Sequence, residues 1–119
     1  MKPLIISNNP SVKSKYPKTI FVCGGFGEVL RKARDLIHLG HQLISHPLGS
    51  SIRVMYSPYR SVIVSSEPNY FCEAHCRIIE SSIEGYRAAM GEKEPDYSNG
   101  EDYQFMDLEL LESSLKEAT

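Results

Sequence analysis

Short apolar runs alternate along the chain with longer stretches in which apolar residues recur every three or four positions. Runs of the first kind are rich in β-branched residues and end in Gly, Asn or Ser, which is typical of strands buried in a sheet. Stretches of the second kind place apolar side chains on one helix face and charged side chains on the other. The predicted strands are Pro3–Ser7, Thr19–Gly25, His41–His46 and Ser61–Ser66.

The predicted helices are interleaved with these strands. The clearest is Phe26–Leu39, where the apolar residues form one stripe and Gly40 ends the helix. The other predicted helices are residues 11–16, 71–90 and about 102–117, the last with Phe105, Leu108, Leu111 and Leu115 on one face.

Strands that alternate with helices imply parallel pairing with right-handed crossovers. We therefore expect an α/β fold, a small three-layer Rossmann-like or flavodoxin-like sheet of about four mainly parallel strands plus a C-terminal helix. The α/β domain is expected at residues 1–92. Residues 93–119 are expected to form an acidic linker and an amphipathic helix that packs on the same domain. Residues 52–56, inside the long 47–59 loop, are a candidate short edge strand.

The net charge of −2 conceals an asymmetry between the two halves of the chain. Residues 1–66 carry nine Lys/Arg and two Asp/Glu, a net +7, whereas residues 67–119 carry four and thirteen, a net −9. A basic half attracts an anionic partner, or alternatively the acidic half packs against it and cancels its field. No apolar run approaches the roughly 20 residues of a membrane span. We expect a cytoplasmic protein with no membrane contact and no nucleic-acid partner.

The polar residues that follow the predicted strands define the candidate site. In open α/β sheets, ligands bind at the carboxyl edge of the strands. His46 ends the third predicted strand there, and the Gly49–Ser51 segment behind it can form a nest of N–H groups for an anion. Ser65 and Ser66 follow the fourth. The alternative is that these residues only form turns and bind no ligand. The candidate ligand-binding residues are Asn8, Asn9, His46, Gly49, Ser50, Ser51, Arg53, Tyr59 and Arg60.

Three histidines fall close together in the chain, but they do not form a predicted metal site. His38 and His41 flank the turn at the opposite edge of the expected sheet, and His41 is about 16 Å from His46 at 3.3 Å per strand residue. A zinc ion needs its ligands about 2.0–2.1 Å away. Cys72 and Cys76 lie on an apolar helix stripe, where thiols pack as small hydrophobic groups. We expect neither a metal nor another cofactor.

The segments "RDLIHLGHQLISHPLGSS", "SPYRSVIVS" and "ISNNPSV" resemble the GrdX family. These small proteins are encoded with the glycine, sarcosine and betaine reductase complexes of anaerobic bacteria. The resemblance covers about residues 4–90, and the loop after Leu48 departs from the more polar loop expected there. It implies a cytoplasmic accessory protein of anaerobic amino-acid reduction and transfers no catalytic residue.

Three functional hypotheses stay open at this point. The first is a small accessory protein that binds a small anionic ligand at the strand ends, with His46, Ser50 and Ser51 as contacts. The second is a small enzyme that uses His46 as a general acid or base. The third is a protein-interaction module whose C-terminal helix docks a protein partner or forms a homo-oligomer.

Overall fold

A three-stranded mixed sheet lies at the centre of the fold across the described residues. The computed structural model describes residues 2–48 and 56–118. Strand β1 (Pro3–Ser7) is central, parallel to β2 (Ile20–Phe21) and antiparallel to β3 (Ser61–Ser65), so that the order is β2-β1-β3.

Four helices and one short 3-10 turn surround the sheet in the described ranges. The first begins where predicted because Asn9 Oδ1 accepts the N–H of Ser11 at 3.0 Å and Pro10 occupies the first turn. The second ends before Gly40, whose φ of 108° suits glycine. The elements are α1 (Pro10–Lys15), α2 (Phe26–His38), α3 (Glu73–Met90), the 3-10 turn Tyr97–Asn99, and α4 (Gly100–Ala118).

Helices cover both faces of the sheet because side chains alternate along each strand. On one face, Ile6, Val62 and Val64 pack against the apolar stripes of α2 and α3. On the other face, Ile5 and Ile63 pack against α1 and α4. The bounds predicted for the four helices agree with these elements to within two residues. No helix within the described ranges is long and apolar enough to cross a membrane.

The prediction of a Rossmann-like sheet of four mainly parallel strands is wrong. The described residues form one mixed sheet of three strands, in which β1 and β2 are the parallel pair. Parallel neighbours need a crossover, usually a helix. β3 is instead antiparallel both to β1 and to the segment at Leu43, an arrangement that does not require a crossover helix before it.

The prediction of a strand at His41–His46 is also wrong. This segment lies beside β3 but makes only an isolated bridge, Leu43 to Val64. Side chains replace backbone groups in the ladder here: Ser45 Oγ accepts the N–H of Ile63 at 2.9 Å, and His75 Nδ1 accepts the N–H of Leu43 at 3.0 Å. These substitutions stop a regular ladder from forming.

The second predicted strand is shorter than expected. Pairing stops after Phe21, although the N–H of Val22 still donates to the carbonyl of Ser7 at 2.8 Å. The glycine pair that follows leads directly into α2. Of the candidate edge strand at residues 52–56, residues 52–55 lie outside the described residues.

Candidate functional site

Four of the predicted site residues come together at the edge of the sheet where β1 and β2 end. They are Asn8, Asn9, Tyr59 and Arg60. Because β3 is antiparallel, it contributes its first residue to this edge, whereas Ser65 and Ser66 lie at the opposite one. Gly49, Ser50, Ser51 and Arg53 lie outside the described residues.

The Asn8 side chain is fully used inside the protein. Its Nδ2 donates to the carbonyls of Gly24 at 2.9 Å and Pro58 at 2.8 Å, and its Oδ1 accepts the N–H of Arg60 at 2.9 Å. The residue is buried. Asn8 therefore joins the loops that follow β2 and precede β3, and its hydrogen-bonding groups are already occupied.

A buried chain of hydrogen bonds joins the same edge to helix α4. The N–H of Asn9 donates to Ser7 Oγ at 2.9 Å, and the Ser7 and Ser61 hydroxyls lie 2.7 Å apart. Ser61 Oγ is also 2.7 Å from Asp107 Oδ2, so it donates to the carboxylate and accepts from Ser7. Asn9 Nδ2 donates to the same carboxylate oxygen at 3.0 Å. The network fastens α4 to β1 and β3.

Arg60 is a buried cation that holds the segment carrying His46. Its side chain donates from Nε to the carbonyl of Pro47 at 2.6 Å and from Nη2 to the carbonyl of His46 at 2.7 Å. Burial lowers the pKa of Arg60, and the nearby charge of Asp107 opposes that shift. Arg60 is 5% exposed, so it positions this segment from within.

The Asp107 carboxyl is strongly perturbed by its surroundings. It is 4% exposed, and burial raises its pKa above the ordinary value of 3.8. The hydrogen bonds from Ser61 and Asn9 and the charge of Arg60 act in the opposite direction but do not cancel the shift.

Replacing Asp107 by asparagine is expected to change how stability depends on pH. Folding favours the protonated carboxyl, so wild-type stability falls as pH rises from 3.8 through the higher pKa of the folded state. Asparagine does not titrate and lacks this loss. Urea denaturation between about pH 4 and pH 8 should show the free energy of unfolding shifting in favour of the variant as pH rises. A difference that stays constant over that range would contradict the raised pKa.

His46 lies at the surface, beside a shallow cavity of about 300 Å³. Its Nδ1 accepts the N–H of Leu48 at 3.2 Å, so the hydrogen of the neutral ring is on Nε2. We call this cavity the His46 cavity. It is formed between the 46–48 segment and one face of α3, and its lining residues are His46, Leu48, Arg77, Ile78, Ser81 and Ser82.

The other histidines have structural contacts. His41 Nδ1 lies 2.7 Å from the carbonyl of Ser65, and the His38 ring meets the edge of Phe71 at 6.3 Å between centroids. His75 accepts from the backbone of Leu43. No group of three or more His, Cys, Asp or Glu side chains in the described part of the chain could hold a metal ion.

One comparison with known proteins decides the family. The model of the family described as GrdX-like protein matches residues 4–116. The chain belongs to the GrdX-like family. The family match extends beyond the resemblance seen in residues 4–90 and includes most of α4, so the Asp107 network lies within the GrdX-like region. No curated protein and no solved structure matches the chain.

Sequence reasoning missed Asp107 although a signal for it was present. The predicted inner face of α4 included Phe105, but Phe105 is 65% exposed and Asp107 faces inward instead. Asp107 lies four residues before Leu111, which places it on the buried side of a helix of 3.6 residues per turn. A carboxylate at such a position needs buried donors. Ser7 and Ser61 end and begin the two paired strands, and the antiparallel register that joins them was not predicted.

Sequence reasoning also missed the α3 side of the His46 cavity. Arg77 and Ser81 are separated by four residues and therefore share one helix face. That spacing was visible in the sequence. What could not be seen was that the 46–48 segment lies against this face, because the segment was predicted to be the end of a regular strand.

Proposed function

We propose that this protein is a small accessory protein that binds a small anionic ligand in the His46 cavity. The family membership supports an accessory role, and we place that role in anaerobic amino-acid metabolism of the glycine reductase type. The observation that carries the ligand proposal is the lining of the cavity. A guanidinium, an imidazole and a hydroxyl surround it, and no carboxylate is among its lining residues in the described part of the chain.

The polar groups of the His46 cavity are suited to a carboxylate or phosphate. The Nε2–H of His46, the guanidinium of Arg77 and the hydroxyl of Ser81 are all donors. Ser82 is not available, because its hydroxyl donates to the carbonyl of Ile78 at 2.7 Å. A volume of about 300 Å³ is at the lower end for ligand pockets, which favours a small ion over a nucleotide.

Binding at this cavity has to compete with one surface ion pair. Arg77 Nη2 lies 2.6 Å from Glu73 Oε1, and both side chains are largely exposed. Exposed pairs of this kind contribute little stability, roughly 0.2–1 kcal/mol, so a ligand can displace Glu73 at small cost. Because the ligand's main charged partner, Arg77, is itself largely exposed, the contact gains little free energy, and we expect dissociation constants in the millimolar range.

The Arg77→Gln variant tests the proposal directly. Inorganic phosphate, acetate and glycine are titrated into ¹⁵N-labelled protein at constant ionic strength, and the amide signals of Arg77 and Ser81 are followed by NMR. We expect saturable shifts, and about tenfold weaker binding in Arg77→Gln because one charge-assisted hydrogen bond is lost.

Arg34→Gln is the matched control, since Arg34 is an exposed helical arginine whose contacts to Asp35 and Glu80 are 3.9 Å and 3.8 Å. It should bind the probes as the wild type does. Unsaturable shifts with all three probes, or equal losses in both variants, would overturn the proposed site.

A further inference from the structure

A second cleft, distinct from the His46 cavity, lies between α2 and α3. The two helices are antiparallel, since Phe26 stacks on Tyr86 while Arg34 lies near Glu80. The cleft is therefore formed by the beginning of α2 and the end of α3, together with the residues that follow α3. Its volume is about 260 Å³, and we call it the Tyr86 cleft.

The inner surface of the Tyr86 cleft is apolar and has one flat aromatic wall. Leu30, Ile83 and Met90 line it and belong to the buried side of the two helices. The ring of Tyr86 is stacked on Phe26, with centroids 4.5 Å apart and an interplanar angle of 6°. This stacking holds the tyrosine ring in a fixed orientation, because rotation would break the contact.

The rim of the Tyr86 cleft carries three cations. They are Arg31 from α2, Arg87 from α3 and Lys93 from the segment after α3. No carboxylate is among the lining residues in the described ranges. The acidic partners of the two arginines lie outside the lining: Glu28 pairs with Arg31, and Glu84 lies 3.4 Å from Arg87.

Gly27 keeps the space between these groups open. A Cβ atom at this position would meet Arg31 Nη2 at 3.6 Å and Tyr86 Cε2 at 3.7 Å. A larger side chain would extend into the cleft between the guanidinium and the ring.

We propose that the Tyr86 cleft binds a small organic anion with a flat apolar body, such as an aryl phosphate or an aryl carboxylate. The body stacks on the exposed side of the Tyr86 ring and covers the apolar floor. The anionic group is held at the rim by Arg31, Arg87 and Lys93. Neither the apolar body nor the anionic group of the ligand is expected to bind well alone, because the rim charges are exposed and the apolar floor is small.

Three probes separate the two requirements. Phenyl phosphate carries both the body and the charge, benzyl alcohol carries only the body, and inorganic phosphate carries only the charge. Each is titrated into protein labelled at its methyl groups, and the Ile83 and Leu30 methyl signals are followed by NMR. We expect phenyl phosphate to saturate these signals at concentrations at least about tenfold below either of the other two. Benzoate tests whether a carboxylate replaces the phosphate.

Two double variants give the matched comparison. Arg31→Gln with Arg87→Gln removes two rim cations and should weaken phenyl phosphate binding by about tenfold or more. Lys32→Gln with Arg34→Gln removes the same charge from positions of α2 outside the cleft and should leave this binding unchanged. The variant that tests the His46 cavity, Arg77→Gln, changes no lining residue of the Tyr86 cleft, so the two proposals fail independently.

The Gly27→Leu variant tests the geometry without changing any charge. Leucine is a good helix former, so α2 is expected to form, and its side chain should fill the cleft. We expect phenyl phosphate binding to be lost while the variant unfolds in urea at no lower concentration than the wild type. Retained binding in Gly27→Leu, equal weakening by both double variants, or shifts confined to the Leu48 and Ile78 methyl signals of the His46 cavity would overturn the proposal.

Discussion

Replacement of Arg60 by methionine is expected to lower the free energy of unfolding by about 3 kcal/mol, because two charge-assisted hydrogen bonds are lost. The guanidinium donates to the carbonyls of His46 and Pro47 inside the protein. Methionine fills a similar volume but leaves both buried acceptors without their donors. It also removes the cation that partly compensates the buried Asp107 carboxylate.

The Arg60→Lys variant separates the charge of Arg60 from the geometry of its guanidinium. Lysine at this position keeps the charge but has a single amine, which cannot reproduce the fork that spans two consecutive carbonyls. We expect Arg60→Lys to lose roughly half as much stability as Arg60→Met, measured by urea denaturation at neutral pH. Arg34→Met serves as the control and should stay within about 0.5 kcal/mol of the wild type. A decrease of less than about 1 kcal/mol in the free energy of unfolding of Arg60→Met would mean that the two hydrogen bonds from Arg60 contribute little to stability.

Replacement of Asp107 by alanine is expected to destabilise the protein by about 2–4 kcal/mol. The carboxylate is the acceptor for Ser61 Oγ and Asn9 Nδ2, and both donors are buried. Without it, the Ser61 hydroxyl loses its acceptor in a place that water does not reach. Asp102→Ala, an exposed substitution on the same helix, should have an effect within about 0.5 kcal/mol.

A double-mutant cycle separates the hydrogen bond from general disruption of α4. If Ser61 and Asp107 act together, Ser61→Ala should cost less in the Asp107→Ala background than in the wild type, by about 1 kcal/mol or more. Additive losses would show that the two side chains act independently. Equal stability of Asp107→Ala and Asp102→Ala would contradict the role of the buried network.

The helices of this fold could be predicted from the sequence, whereas the sheet could be predicted only in part. The apolar stripe of α2 repeats at helical spacing and its end is marked by Gly40, so local information suffices. Strand direction is a property of pairing between distant segments. No crossover helix was predicted before Ser61, which favours an antiparallel strand there. The alternation of strands and helices elsewhere in the chain favoured parallel strands, and the prediction followed that second signal.

The sequence could place several polar residues at one edge of the sheet, but it could not show which of their side chains are free. Asn8, Asn9 and Arg60 do lie at the predicted edge, because strand ends bring their flanking residues together. Their polar groups are occupied by carbonyls, by backbone N–H groups and by Asp107. Sequence pattern does not distinguish a polar residue that waits for a ligand from one that satisfies buried backbone. The hydrogen-bond partners of each side chain decide between these two cases, and those partners come from distant parts of the chain.

The hydrogen bond between Asn9 and Asp107 also has a consequence for protein synthesis. The two residues are separated by 98 positions, so the ribosome makes the donor long before its acceptor. Until α4 emerges, the sheet face formed by Ile5 and Ile63 is covered only in part, by α1, and the Ser7 and Ser61 hydroxyls lack the carboxylate of Asp107. The core that Ile5 and Ile63 form with α1 and α4 therefore cannot be completed until residues 107–115 have left the ribosome.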